Sequence, residues 1–127
     1  MLKARDVMTR DAVYISPDAG LAEAIRMLLE NKISGMPVCT DDKKVVGMIS
    51  EVDILNFVFS GNVKNTKVKE AMSTKIISFA PDTDIDKISL VMAENKIRRV
   101  PIIEDGKMVG IISRRSIIKT VIPTLGI

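Results

Sequence analysis

Two tandem copies of a mixed α+β unit are the fold class this sequence predicts, and three observations predict it. The first is a duplication. Lys3 to Cys39 aligns without a gap to Lys67 to Ile103 at a shift of 64 positions. The shift carries Met8 onto Met72, Pro17-Asp18 onto Pro81-Asp82, and Glu30-Asn31-Lys32-Ile33 onto Glu94-Asn95-Lys96-Ile97. After one residue is lost in a loop, Gly47-Met48-Ile49-Ser50 returns as Gly110-Ile111-Ile112-Ser113 at a shift of 63. The apolar pattern repeats together with the identities, so chance does not account for it. The second is an amphipathic helix in each copy, and the third is a pair of short apolar runs after each helix. A helix with a single apolar stripe needs a sheet beneath it, and the paired runs supply one.

The elements follow in order. Ala4 to Met8 and Val68 to Met72 are short charged segments suited to one or two helical turns. Ala12 to Ile15 and Ile76 to Phe79 are extended stretches stopped by Ser16-Pro17 and Ala80-Pro81. In the first helix Leu21, Ala24, Ile25, Leu28 and Leu29 stand at i, i+3, i+4, i+7 and i+8. Ile85, Ile88, Ser89, Met92 and Ala93 take the same places in the second. Thr83 with Asp86 resembles a capping box, which starts that helix near Thr83. The apolar runs are Met36 to Cys39 with Val45 to Ile49, and Val100 to Ile103 with Met108 to Ile112. Asp105-Gly106 is a strong hairpin signal in the second pair. A proline removes a ladder donor, so Pro37 and Pro101 are expected at strand starts or on an edge. Closing helices are expected over about Glu51 to Phe59 and Arg114 to Val121, the latter stopped by Pro123. The copies are thus placed at 1–59 and 67–122, with a linker over 60–66 and a tail over 123–127.

Composition excludes several classes. At 46% hydrophobic and 28% charged over 127 residues, the chain is globular and long enough to bury roughly two thirds of its unfolded surface. No apolar run approaches the ~18 residues of a membrane helix, and the N-terminal residues lack the apolar core of a signal peptide, so a cytoplasmic location is expected. The single cysteine, Cys39, reads as a small core residue. With no histidine there is little for a structural zinc site. The formal charge of +3 and few aromatics argue against a dedicated nucleic-acid surface. No set of catalytic roles is found, and an enzyme is not expected.

Gly47-Met48-Ile49-Ser50-Glu51-Val52-Asp53 carries the most chemistry. It reads as a strand end, a sharp turn and a helix start, with Ser50 at the N-cap beside amides that lack intrahelical partners. Asp53 lies on the same face, three residues on, where its carboxylate suits a diol such as ribose. The same pair also makes a plain helix cap, and spacing alone leaves both readings open. Arg98-Arg99 directly precedes an apolar strand. The pair suits phosphate oxygens through its fork of donors, and equally a pair of snorkelling stems with rim salt bridges to Glu94 or Glu104.

The order β-α-β-β-α, duplicated, resembles the cystathionine-β-synthase (CBS) domain pair, or Bateman module, over almost the whole chain. The carriers are Val7-Met8-Thr9 and Ala71-Met72-Ser73, Asn31 to Val38, Asn95 to Ile102, and Gly47 to Leu55. The resemblance implies two copies packed sheet to sheet with pseudo-two-fold symmetry and two equivalent clefts for adenosine ligands. In the first cleft it implies Ser50 and Asp53 with Lys75, Ile76, Ile77, Ile97, Arg98 and Arg99. There Asp53 would hold the ribose, Ile77 and Ile97 flank the base, backbone around Ile76 read its edge, and Ser50 and Arg99, with Arg98 and Lys75, face phosphate. The second cleft would use Asp11, Val13, Ile33, Ser34, Ser113 and Ser116, and it departs from the pattern. Ser116 stands where the ribose-binding carboxylate belongs and Ser34-Gly35 replaces the arginine pair. Losing a carboxylate-to-diol pair costs ~1.5–3 kcal/mol, a site roughly 10- to 100-fold weaker. Arg114 and Arg115 either compensate toward phosphate or form an exposed first turn.

The function this implies is a regulatory module for an adenine nucleotide, AMP first with ADP or ATP as competitors. It would act on a separate enzyme or transporter or through its own homodimer, with no required cofactor. The alternatives are a ligand-free interaction module, in which Ser50 and Asp53 are caps, and a binder of S-adenosylmethionine or a related nucleoside. Met27 and Met92 suit either a dimer surface or ordinary core packing.

Overall fold

A computed structural model describes all of residues 1–127. Its elements are α1 (Ala4–Val7), α2 (Leu21–Asn31), β1 (Gly35–Cys39), β2 (Val45–Ser50), α3 (Glu51–Val58), α4 (Val68–Ala71), α5 (Ile85–Asn95), β3 (Arg99–Glu104), β4 (Lys107–Ser113) and α6 (Arg114–Val121). Single 3-10 turns lie at Val63–Asn65 and Ile122–Leu125. No helix is long and apolar enough to cross a membrane.

The strands form two antiparallel hairpins, β1 with β2 and β3 with β4. In the second, Asp105 and Gly106 take φ of 53° and 77°, the positive pair that matches the twist of a two-residue turn. Each hairpin carries a register shift at the same place, between Val38 and Cys39 and between Ile102 and Ile103. The bulge is therefore part of the repeat. The extended stretches at Ala12 to Ile15 and Ile76 to Phe79 reduce to single parallel bridges, Ile15 to Val38 and Phe79 to Ile102. Proline explains this. Ile15 N–H donates to the Pro37 carbonyl at 3.1 Å, so the side of β1 that faces Ile15 is the side on which Pro37 has no N–H to offer. Pro37 and Pro101 are mid-strand, on the outer side of their hairpins.

The chain divides into two compact units, residues 13–76 and residues 1–12 with 77–127. These are not the sequence repeats, because the leading segments are exchanged. The first-hairpin unit has a core of Leu21, Leu28, Met36, Val38, Ile49 and Ile54 completed by Val68 of α4. The second-hairpin unit has Ile85, Ile88, Met92, Val100, Ile102 and Ile112 completed by Ala4 and Val7 of α1. The bonds that seat the segments are the same. Ala4 N–H donates to the Thr83 carbonyl (2.8 Å), Arg5 to Pro81 (3.0 Å) and Ile85 to Leu2 (3.0 Å). In the other unit Val68 donates to Ala19 (2.9 Å), Lys69 to Pro17 (3.0 Å) and Leu21 to Thr66 (2.8 Å).

Two details differ from the sequence reading. The capping box expected from Thr83 and Asp86 does not form: α5 starts at Ile85, its N-cap is Asp84, and no side chain caps it. The Thr83 carbonyl is taken by Ala4 and the Asp84 carboxylate by Lys3, while Asp86 accepts from the Lys87 amide. Leu29, expected on the buried stripe, is 70% exposed, and Ala93, its counterpart, is exposed too. The buried stripe of α2 is narrowed to Leu21, Ala24 and Leu28. Met92 is buried core and Met27 packs half-buried against the first core.

Candidate functional site

The Ser50 corner is built where β2 runs into α3 without a loop. Ser50 is the last residue of the strand and the N-cap of the helix, with extended backbone (φ −129°, ψ 167°). Its Oγ accepts from Asp53 N–H at 3.3 Å. Asp53 Oδ2 accepts in return from Ser50 N–H at 2.9 Å and from Ser50 Oγ at 3.0 Å. This is a reciprocal capping box, so the plain-cap role foreseen for the pair is real. Both bonds to the carboxylate land on Oδ2, and Oδ1 remains outside the box. Ser34 belongs to the same corner: Gly35 pairs with Ser50 in register, and the Ser34 carbonyl accepts from Glu51 N–H at 2.9 Å.

The Ser113 corner, in the other unit, has the same backbone and different chemistry. Arg114 N–H donates to the Arg98 carbonyl at 2.9 Å and Arg99 pairs with Ser113, so the hairpin gathers both arginines and both serines. Ser116 Oγ accepts from Ser113 N–H (2.9 Å) and from Ser113 Oγ (3.1 Å), and donates to the Ser113 carbonyl (2.8 Å). A hydroxyl has one proton and two lone pairs, so Ser116 is saturated. Asp53, at the matching place, keeps an oxygen in reserve. Arg114, Arg115 and Arg98 are exposed, and α6 has no acid in its first turn.

The remaining expected residues fall in one unit or the other. Val13, Ile33, Lys75 and Ile76 lie in the first-hairpin unit with Ser34, Ser50 and Asp53. Asp11, Ile77 and Ile97 lie in the second with Arg98, Arg99, Ser113 and Ser116. Lys75 follows two residues after Ser73, whose N–H and carbonyl exchange bonds with Met48 at 2.9 Å each. Lys75 and Asp11 are exposed; Ile76, Ile77, Ile33, Ile97 and Val13 are half-buried.

Sequence reasoning missed the residues that seat the segment over the strand leading into each corner. Met72 lies against Gly47, where an added Cβ would stand 2.5 Å from its Sδ, and Met8 lies in the same way against Gly110. The signal was present, since Met and Gly recur together in the repeat.

The CBS domain family model matches residues 4–60 and 68–122. An uncharacterised protein of Methanocaldococcus jannaschii, MJ1426, is 31% identical over 93% of this chain and 90% of its own length. Longer curated proteins match as well, and the chain spans 23% of one of them. Among solved structures, the acetoin utilization protein AcuB from Vibrio cholerae, itself described as putative, superposes with a TM-score of 0.91 at 27% identity, over 99% of this chain and 94% of that one. CBSX2 in complex with AMP superposes at 0.89 with 25% identity, over 98% and 99%.

Proposed function

The chain belongs to the CBS domain family, with two tandem copies, and from that premise we propose that it is a regulatory module that binds an adenine nucleotide, AMP in preference to ADP or ATP. The observation that carries the reading is the Asp53 carboxylate. One oxygen is consumed by the cap and the other is left for the two hydroxyls of a ribose, on a residue whose position the cap fixes. Ser50 Oγ, which donates to Asp53 and accepts from its amide, keeps one lone pair. Support from outside the chain is the AMP complex of CBSX2. Arg98 and Arg99, with Lys75, are the proposed phosphate partners, because a guanidinium matches phosphate oxygens in two parallel bonds. Ile77 and Ile97 are the proposed apolar contacts of the base. The saturated Ser116 makes its own corner, with Asp11, Val13, Ile33, Ser34 and Ser113, the weak or silent counterpart. Regulation follows if the ligand binds two states of the protein or of its dimer unequally, and by no more than that difference.

A calorimetric titration with AMP, ADP, ATP and S-adenosylmethionine tests this. One phosphate-bearing adenosine per chain is expected. Asp53→Ala is expected to weaken it by 10-fold or more, on the ~1.5–3 kcal/mol scale of a charged hydrogen bond. Arg99→Ala separates ligands, since a nucleoside without phosphate loses little by it. No binding at millimolar ligand would leave Ser50 and Asp53 as the cap they visibly form, in a protein whose function is to engage another protein.

A further inference from the structure

We infer that the exposed helix pair of one unit docks on the exposed helix pair of the other unit in a second copy of this chain: α2 and α3 of one copy against α5 and α6 of the next. Both pairs carry apolar side chains left uncovered in the whole chain. On α3, Val52, Leu55 and Phe59 stand at i, i+3 and i+7 along one side of the helix, and Leu55 is 57% exposed. On α6, Ile118 and Ile122 take the places of Leu55 and Phe59 at the shift of 63, and Ile118 is 60% exposed. A single exposed leucine is ordinary. A stripe kept at matching places in both copies of a duplication is a contact surface.

Charge selects the occupant. α2 packs beside α3, and the exposed charges of that pair are Glu23, Arg26, Glu30 and Glu51, a net of −2. α5 packs beside α6, and theirs are Asp86, Lys87, Glu94, Arg114, Arg115 and Lys119, a net of +2. The reversal runs place for place: Glu23 matches Lys87, Glu51 matches Arg114, and the neutral Asn56 matches Lys119. Two basic pairs laid together repel, as do two acidic ones, whereas acidic on basic gathers opposite charges around an apolar centre. Each surface therefore has its complement on the same chain, and a second copy supplies it. The inference does not rest on nucleotide binding.

Sedimentation of the full chain across a salt series tests this. Self-association is expected, and it is expected to weaken as salt rises from ~50 to ~500 mM, because screening removes the attraction between unlike surfaces. Arg115→Glu with Lys119→Glu makes both surfaces acidic, and Glu23→Lys with Glu51→Arg makes both basic. Each of these double variants alone is expected to raise the dissociation constant by ~10-fold or more. Mixing the two is expected to restore association, which also shows each to be folded. Orientation is read with a short bismaleimide: Leu55→Cys and Ile118→Cys cross-link when mixed, and neither does so alone. Cys39 is 1% exposed and gives little background. A chain that sediments as a monomer at ~1 mM overturns the proposal. So does cross-linking of either cysteine variant alone as strong as that of the mixture, or association indifferent to the charge reversals.

Discussion

A Cβ added to Gly47 would meet both the Met72 thioether and the Ser73 carbonyl oxygen, at 2.5 and 2.9 Å, whereas the three atoms nearest to one added to Gly110 all belong to the Met8 side chain, at 2.6 to 3.1 Å. A methionine changes rotamer readily and a bonded backbone does not. Of the ~1–3 kcal/mol typical of overpacking, Gly47→Ala is therefore expected at the upper end and Gly110→Ala at the lower, as read by urea denaturation of each variant. Cys39 makes a second residue-scale prediction. Burial raises its thiol from 9.0 to about 11, against a small opposing pull from Lys43. A group whose pKa is raised on folding stabilises fully below its unfolded value and loses that contribution as pH rises through the folded one. Stability is expected to decline between pH 9 and 11 more steeply in the natural chain than in Cys39→Ala, in paired denaturation series. Asp84 runs the other way: the hydrogen bond from Lys3 lowers its pKa below 3.8, so its contribution is present above that value and lost as pH falls through the folded one.

At the scale of elements, α3 and α6 occupy the same place in the repeat, and their capping boxes differ in one residue. The Asp53 carboxylate sits where the partial positive charge of a helix N-terminus favours it, and α6 has a serine there and two arginines beside it. Ser116→Asp is expected to stabilise the ligand-free protein by about 0.5–1 kcal/mol, measured as a shift of the denaturation midpoint. On the nucleotide reading it also adds a second, weaker site to the titration. Local pattern made the cap of α3, the boundaries of α6 and the Asp105-Gly106 turn legible, because each depends on residues within one turn of the chain. The start of α5 was misread for the complementary reason. The N-cap falls on Asp84, whose carboxylate is engaged by Lys3, 81 positions earlier, and the Asp86 carboxylate accepts from the Lys87 amide instead of closing a box.

For the whole molecule the exchange of leading segments has a direct consequence for what folds alone. Residues 13–76 contain a hairpin, both of its helices and Val68, which completes their core. Residues 1–59 contain the same hairpin with that place in the core empty and a leading segment that belongs elsewhere. The fragment 13–76 is expected to show cooperative thermal unfolding by circular dichroism, with the marginal stability of a ~60-residue domain, and the fragment 1–59 is not.

What the amino-acid order determined by itself is what has its partners near in sequence or repeated: the duplication, the helices, the hairpins, and the pairing of Ser50 with Asp53. What only the tertiary structure decided is where each leading segment docks and which capping oxygen is left over. The two segments are near copies, so composition and periodicity describe both equally and assign neither to a slot; that choice is made by packing between residues far apart in the sequence, such as Ala4 with Thr83 and Val68 with Ala19. The spare Oδ1 of Asp53 and the saturated hydroxyl of Ser116 differ for a similar reason. Hydrogen-bond capacity is set by residue type, and how much of it is spent is set by geometry.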